Sequence, residues 1–233
     1  MDLSISEEQS AIRDVISRFI ENEYDFEKRM SIAEGDSAFD SDAYNFFVEQ
    51  GFTAIPFSEE DGGLNGGPVE TMLIMKEIGR GLVLEPYLEN VILAGGVLKR
   101  LATDDQKSKW LTNIINGELQ STLAFTEPQS RFNLNDVATD AKDNGDKAII
   151  NGKKSFVLNG KEADIIIVPA RTSGSQTEAE GISLFVVESD LPGISKNNYK
   201  TVDGHSASEI TFKNVEISKD NLLGEIGKGY QTL

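Results

Sequence analysis

The 233-residue chain predicts an α+β protein: an N-terminal all-helical domain followed by a β-barrel or sandwich domain. Three observations predict it. Apolar residues recur with the helical period as far as Gly117, between helix-capping residues. From Leu119 the period changes to alternation, and turn residues cut the chain into short runs. The composition, 39% hydrophobic and 26% charged, is that of a globular chain able to bury a core without covalent staples.

Each helix has a local reason. Ser6-Glu7-Glu8-Gln9 is a capping box, and Ile12, Val15, Ile16 and Phe19 follow at i, i+3, i+4, i+7. A second helix is predicted over about 41–50, stopped by Gly51. Pro56 to Gly67 reads as loop, because Asp61-Gly62-Gly63 and Asn65-Gly66-Gly67 tolerate positive φ. Pro68 suits a first helical turn, and Met72, Leu73, Met75, Ile78 and Leu82 are taken as the apolar face of that helix. Another spans Pro86 to Leu101, its Gly95-Gly96 pair marking close packing. Thr103-Asp104-Asp105-Gln106 caps the last helix, which carries Trp110, Leu111, Ile114 and Ile115 and ends at Gly117.

The strands follow. Asp136–Lys142 and Lys147–Asn151 flank Asp143-Asn144-Gly145-Asp146, a hairpin signal. Ser155–Leu158, Ala163–Ala170, Ile182–Val187, Ile194–Thr201 and Ser208–Phe212 continue the series, separated by Asn159-Gly160, Ser173-Gly174, Pro192-Gly193 and Asp203-Gly204. The segment from Asn221 to Leu233 reads as the opening of a further helix. The expected division is 1–118 helical domain, 119–220 β-domain and 221–233 the start of a truncated C-terminal helical domain.

Charge and composition exclude several functions. A net charge of −17 opposes phosphate backbones and anionic membranes, so neither a nucleic acid nor a membrane partner is expected. There are no cysteines, hence no disulfide frame, thiolate nucleophile or cysteine metal site, and no metal is expected. Met1-Asp2-Leu3-Ser4 lacks a basic start followed by an apolar stretch, so a soluble cytoplasmic protein is the expectation. His205, the one histidine, lies in a loop and reads as a surface residue. The glycine-rich stretches at 61–63 and 224–229 lack the lysine and the strand–turn–helix context of a phosphate loop.

Two blocks flank the hairpin: Ala124-Phe125-Thr126-Glu127-Pro128, and Asn151-Gly152-Lys153-Lys154-Ser155-Phe156-Val157-Leu158-Asn159-Gly160. With the helical first half, the strand-rich second half and the ending Asn221-Leu222-Leu223-Gly224, their order resembles the acyl-CoA dehydrogenase family over the whole chain. The blocks Ala170–Gly174, Gly181–Val187 and Asp203-Gly204 are most similar to a bacterial subgroup acting on steroid side-chain or dicarboxylyl-CoA thioesters. The resemblance implies FAD as cofactor. Phe125 and Thr126 would lie against the pyrimidine side of the flavin, and Phe156, Val157 and Leu158 along its dimethylbenzene and N5 side. Glu127-Pro128 would fix the turn between. Arg131 stands in a stretch where the family carries small residues against the diphosphate, and an arginine is a charge-assisted donor to phosphate. Leu158 replaces the family's usual threonine.

The family's reaction is an α,β-desaturation of an acyl-CoA thioester. A carboxylate takes the α-proton while hydride leaves the β-carbon for the flavin. That base belongs to the third domain, so no catalytic residue is assigned within these 233 positions. The resemblance further implies an electron-transfer flavoprotein as electron acceptor and a homo- or hetero-oligomer. It leaves one alternative open, a non-catalytic or flavin-deficient subunit that scaffolds a flavoenzyme partner.

Overall fold

In the computed structural model, which describes residues 4–233, the capping box at Ser6 forms as the sequence predicts. The Ser6 hydroxyl accepts from the Gln9 amide and the Gln9 side chain accepts from the Ser6 amide, opening α1 (Glu7–Glu23). The targeting-segment expectation rests largely on Met1–Leu3, which lie outside the described residues. α2 (Phe26–Glu34) was not predicted; Asp25 caps it, and its buried residues are Arg29 and Ile32. α3 (Ser41–Glu49) and α4 (Pro68–Gly81) stand close to their predicted places. The buried face of α4 differs from the expected one. Leu73, Ile74, Glu77 and Ile78 point inward, whereas Met72 and Leu82 are more than half exposed.

A π-helical stretch (Tyr87–Ala94) runs into α5 (Gly95–Leu101). Only the first of its two glycines is closely packed. A Cβ on Gly95 would stand 2.7 Å from the Phe57 ring, while one on Gly96 would meet nothing within 4 Å. α6 (Asp104–Gln106), a π-turn (Lys107–Leu111) and α7 (Thr112–Ile115) complete the helical part, with the Thr103 capping box formed.

Among the described residues eight strands make one mixed sheet in the order β6-β7-β3-β2-β4-β5-β8, with β1 on β4. They are β1 (Ser121–Leu123), β2 (Asp140–Asn144), β3 (Lys147–Leu158), β4 (Ile165–Arg171), β5 (Ile182–Glu188), β6 (Ile194–Lys200), β7 (Ser206–Ser218) and β8 (Leu222–Leu223). β2 meets β4 at a single rung, Asp140 to Arg171, so the sheet divides there into two leaves. The leaves face each other: Ile150, Val157, Ile210 and Phe212 of one share a core with Ile166, Val168, Phe185 and Val187 of the other. The opposite face of β4 and β5 (Ile165, Ile167, Leu184, Val186) packs into the helical core. β4 is thus apolar on both faces, which explains its unbroken apolar run.

Two strand expectations are corrected. The Lys147–Asn151 and Ser155–Leu158 runs are one strand, β3, with register shifts at Ile150/Gly152 and Lys154/Val157. The segment after Asn221 does not begin a long helix. Leu222 and Leu223 pair with β5, and a 3-10 turn (Gly229–Thr232) follows. No helix among the described residues is long and apolar enough to cross a membrane.

Candidate flavin site

Asn90, in the π-helical stretch, fixes where the first strip begins. Its buried side chain accepts from the Ser121 amide at 2.8 Å and donates to the Tyr44 hydroxyl at 2.7 Å and the Leu119 carbonyl at 3.2 Å. β1 then runs parallel to β4, and the Ala124 amide continues the ladder to the Ile167 carbonyl at 2.9 Å. Beyond Ala124 the strip leaves β4 and meets β3. The Ser155 amide donates to the Thr126 carbonyl at 2.9 Å, and the Thr122 hydroxyl donates to the Leu158 carbonyl at 2.7 Å. The two blocks singled out in the sequence are therefore neighbours in space.

Phe125, Thr126, Phe156 and Leu158 come together along this seam. Phe125 and Thr126 are half-buried, the Phe125 ring lying against the helical core. Neither of their amides, nor the Thr126 hydroxyl, donates to any described group. Phe156 sits in the second register shift of β3 at φ +51°, a left-handed conformation uncommon for an aromatic residue, and is 52% exposed. Its amide donates to Glu209 at 3.3 Å. The side chain of Val157 faces the core between the leaves, so Val157 offers this seam backbone alone. Arg131 lies apart on the exposed loop after Pro128, at φ +50°, beside a fully exposed Phe132.

The sequence reading missed the charges beneath the seam. Lys153 points outward and pairs with Glu209 at 3.0 Å, whereas Lys154 points inward and pairs with Glu127 at 2.7 Å. Both members of the inner pair are fully buried. Glu127 also accepts from the Ala138 amide at 2.8 Å, the Thr139 amide at 3.1 Å and the Gln129 side chain at 2.9 Å. Burial pushes its carboxyl up, but Lys154 and these donors outweigh burial and hold it below its ordinary range. Alternation along β3 carried a faint signal, since two consecutive lysines on a strand cannot both face water.

His205 is about one-third exposed, with Nδ1 3.4 Å from an Asp203 carboxylate oxygen. Of the blocks that suggested the steroid subgroup, Ile182–Val187 lies within β5 itself, while Arg171 and Gly181 shape the loop between β4 and β5. Arg171 donates to the carbonyls of Asn135, Gln176, Glu178 and Glu180, and a Cβ on Gly181 would strike the Ser173 carbonyl.

Residues 6–118 match the model of the acyl-CoA dehydrogenase N-terminal domain, and residues 122–215 that of the acyl-CoA dehydrogenase middle domain. The chain belongs to the acyl-CoA dehydrogenase family. It is 32% identical to a 3-(aryl)acrylate reductase of Clostridium sporogenes, over 97% of this chain and 61% of that protein. It is 31% identical to a subunit of the caffeyl-CoA reductase–Etf complex of Acetobacterium woodii, over 97% of this chain and 60% of that one. The structure of butyryl-CoA dehydrogenase from Megasphaera elsdenii superposes with a TM-score of 0.88 at 26% identity, covering 100% of this chain and 62% of that one. The chain thus spans about three-fifths of the length of these relatives.

Proposed function

We propose that this chain forms the flavin-binding part of an FAD-dependent oxidoreductase acting on an acyl-CoA thioester. The observation that carries the reading is the set of unpartnered donors on Phe125 and Thr126 beside an exposed aromatic ring. Two amides and a hydroxyl in a half-buried strip match the carbonyl and imide edge of an isoalloxazine. Phe156 offers a face for the rest of the tricycle to pack on. The bound flavin would supply the hydride-accepting chemistry. The chain's own residues orient the ring: Thr126 and the amide of Phe125 hold its polar edge, Phe156 and Leu158 cover its apolar side. Leu158 has no hydroxyl, so on that side only backbone groups donate. Arg131 would serve the diphosphate from its exposed loop. No residue here is assigned the proton abstraction, and the division into 1–118, 119–220 and 221–233 belongs to the same reading.

An electron-transfer flavoprotein is the proposed electron acceptor, as the family resemblance implies; the Etf-complex relative supports such a redox partner without fixing the direction of electron flow, and assembly with further subunits is part of the proposal. A second reading, a subunit that only scaffolds a flavoenzyme partner, draws on Leu158 and on the remoteness of Arg131. Titration of the purified chain with FAD separates the two. The first predicts flavin uptake with a visible spectrum, and about tenfold or greater loss of affinity in Thr126→Val, the equivalent of one hydrogen bond of roughly 1.5 kcal/mol. Unchanged affinity in that variant removes Thr126 from the site. A chain that turns yellow only with a partner supports the second.

A further inference from the structure

The Glu127–Lys154 pair has no part in the contacts assigned above. Among the ion pairs of the described residues it alone has both side chains buried. Its position is particular. Glu127 follows Thr126, and Lys154 precedes Ser155, whose amide is bonded to the Thr126 carbonyl. The ion pair and that backbone bond are adjacent rungs between the two strips. On the far side, the Glu127 carboxylate gathers the Ala138 and Thr139 amides, tying in the loop that carries Arg131. Lys154 is also the last residue in register before the shift that turns Phe156 outward.

We propose that the Glu127–Lys154 pair is the positioning element of the candidate flavin site, setting the spacing and facing of the Phe125–Thr126 strip against the Phe156–Leu158 strip. The inference rests on the flavin reading given above. The physical reason is directionality. Apolar side chains of similar volume can stabilise an interior as well as a buried ion pair does, but they tolerate sliding. A carboxylate saturated by one ammonium and several amides has one arrangement that leaves no charge exposed to an apolar interior. Two neighbouring strips joined through it cannot shift register without breaking several charge-assisted bonds together.

The test uses the full chain and three variants: Lys154→Met, Glu127→Gln and the double variant. Hydrogen exchange of the 154–158 backbone, the Ser155 amide above all, is followed without ligand, and FAD affinity is measured by flavin fluorescence. Both single variants are expected to exchange at Ser155 at least tenfold faster than the parent, beyond any acceleration shared with α1 and α4, and to bind FAD at least tenfold more weakly. The double variant decides the matter, because it carries no unpaired buried charge and recovers stability. Fast exchange at Ser155 and weak FAD binding in it support positioning. Parental exchange and parental affinity in it overturn the proposal and leave the pair a mere stabiliser. If the unaltered chain takes up no FAD, the flavin reading fails, and exchange at Ser155 in the double variant still decides whether the pair positions the strips. Should a single variant fail to fold, the double variant serves alone.

Discussion

Glu127 in the β part and Glu85 in the helical part are the same residue, equally buried at 2% exposure, and their carboxyls are shifted in opposite directions. Glu127 faces an ammonium and several N–H donors and is held ionised. Glu85 has the Tyr24 hydroxyl and, at 3.3 Å, the Asp40 amide, while its Oε2 is buried without a partner. Burial pushes its carboxyl up to about 7. Burial alone therefore does not decide the charge of an interior carboxyl; the number and kind of donors around it do. The consequences for pH run in opposite directions. The contribution of Glu127 is present above its unfolded pKa and is lost as pH falls through its depressed folded value. Glu85 keeps a proton that the unfolded chain has released, so its effect is a loss of stability as pH rises from about 4.5 to about 7.

Four substitutions break or sharpen this comparison. Lys154→Met has the largest expected effect, about 3–5 kcal/mol of lost stability in urea unfolding at neutral pH, because it strands a buried carboxylate. A loss below about 1 kcal/mol would mean that the amides alone satisfy Glu127 and that the ammonium is incidental. Glu85→Gln comes next. It removes a titration, so at pH 8 the variant is expected to exceed the parent by roughly 2–3 kcal/mol, with the gap closing toward pH 4.5. Parallel stability curves across that window would show that Glu85 finds a partner the comparison denies it. The smallest pair is uncharged and isolates packing from electrostatics. Gly95→Ala drives a methyl into the Phe57 ring and should cost about 1–3 kcal/mol. Gly96→Ala enters open space on a helix and should gain about 0.5–1 kcal/mol, read from the same unfolding curves.

The sequence disclosed whatever is written locally. The caps at Ser6 and Thr103, the turn at Gly145 and the doubly apolar run of β4 are each decided by near neighbours along the chain. It disclosed less where a distant partner decides. α2 was missed because its one strong marker, Asp25 as cap, precedes a helix whose buried positions include an arginine; Arg29 is turned inward by the carbonyls of Leu82 and Asp203. β3 looked like two strands because its register shifts interrupt the alternation. The same shift expels Phe156, so the exposure of that ring was not readable although its role as a candidate was. Lys154 follows another lysine on β3, and its burial depends on Glu127, 27 residues earlier. At the candidate site, residue types were legible and their facing was not, as the inward side chain of Val157 illustrates.

β4 and β5 act as a party wall. One side belongs to the helices and the other to the facing leaf, and neither room has a second wall of its own. Severing the chain near Leu119 would therefore not yield two tidy halves. It would strip one layer of plaster from each, baring Ile165, Ile167, Leu184 and Val186 to water on one fragment and the cavity they fill on the other. A β fragment prepared that way should clump unless those positions are repainted with polar residues.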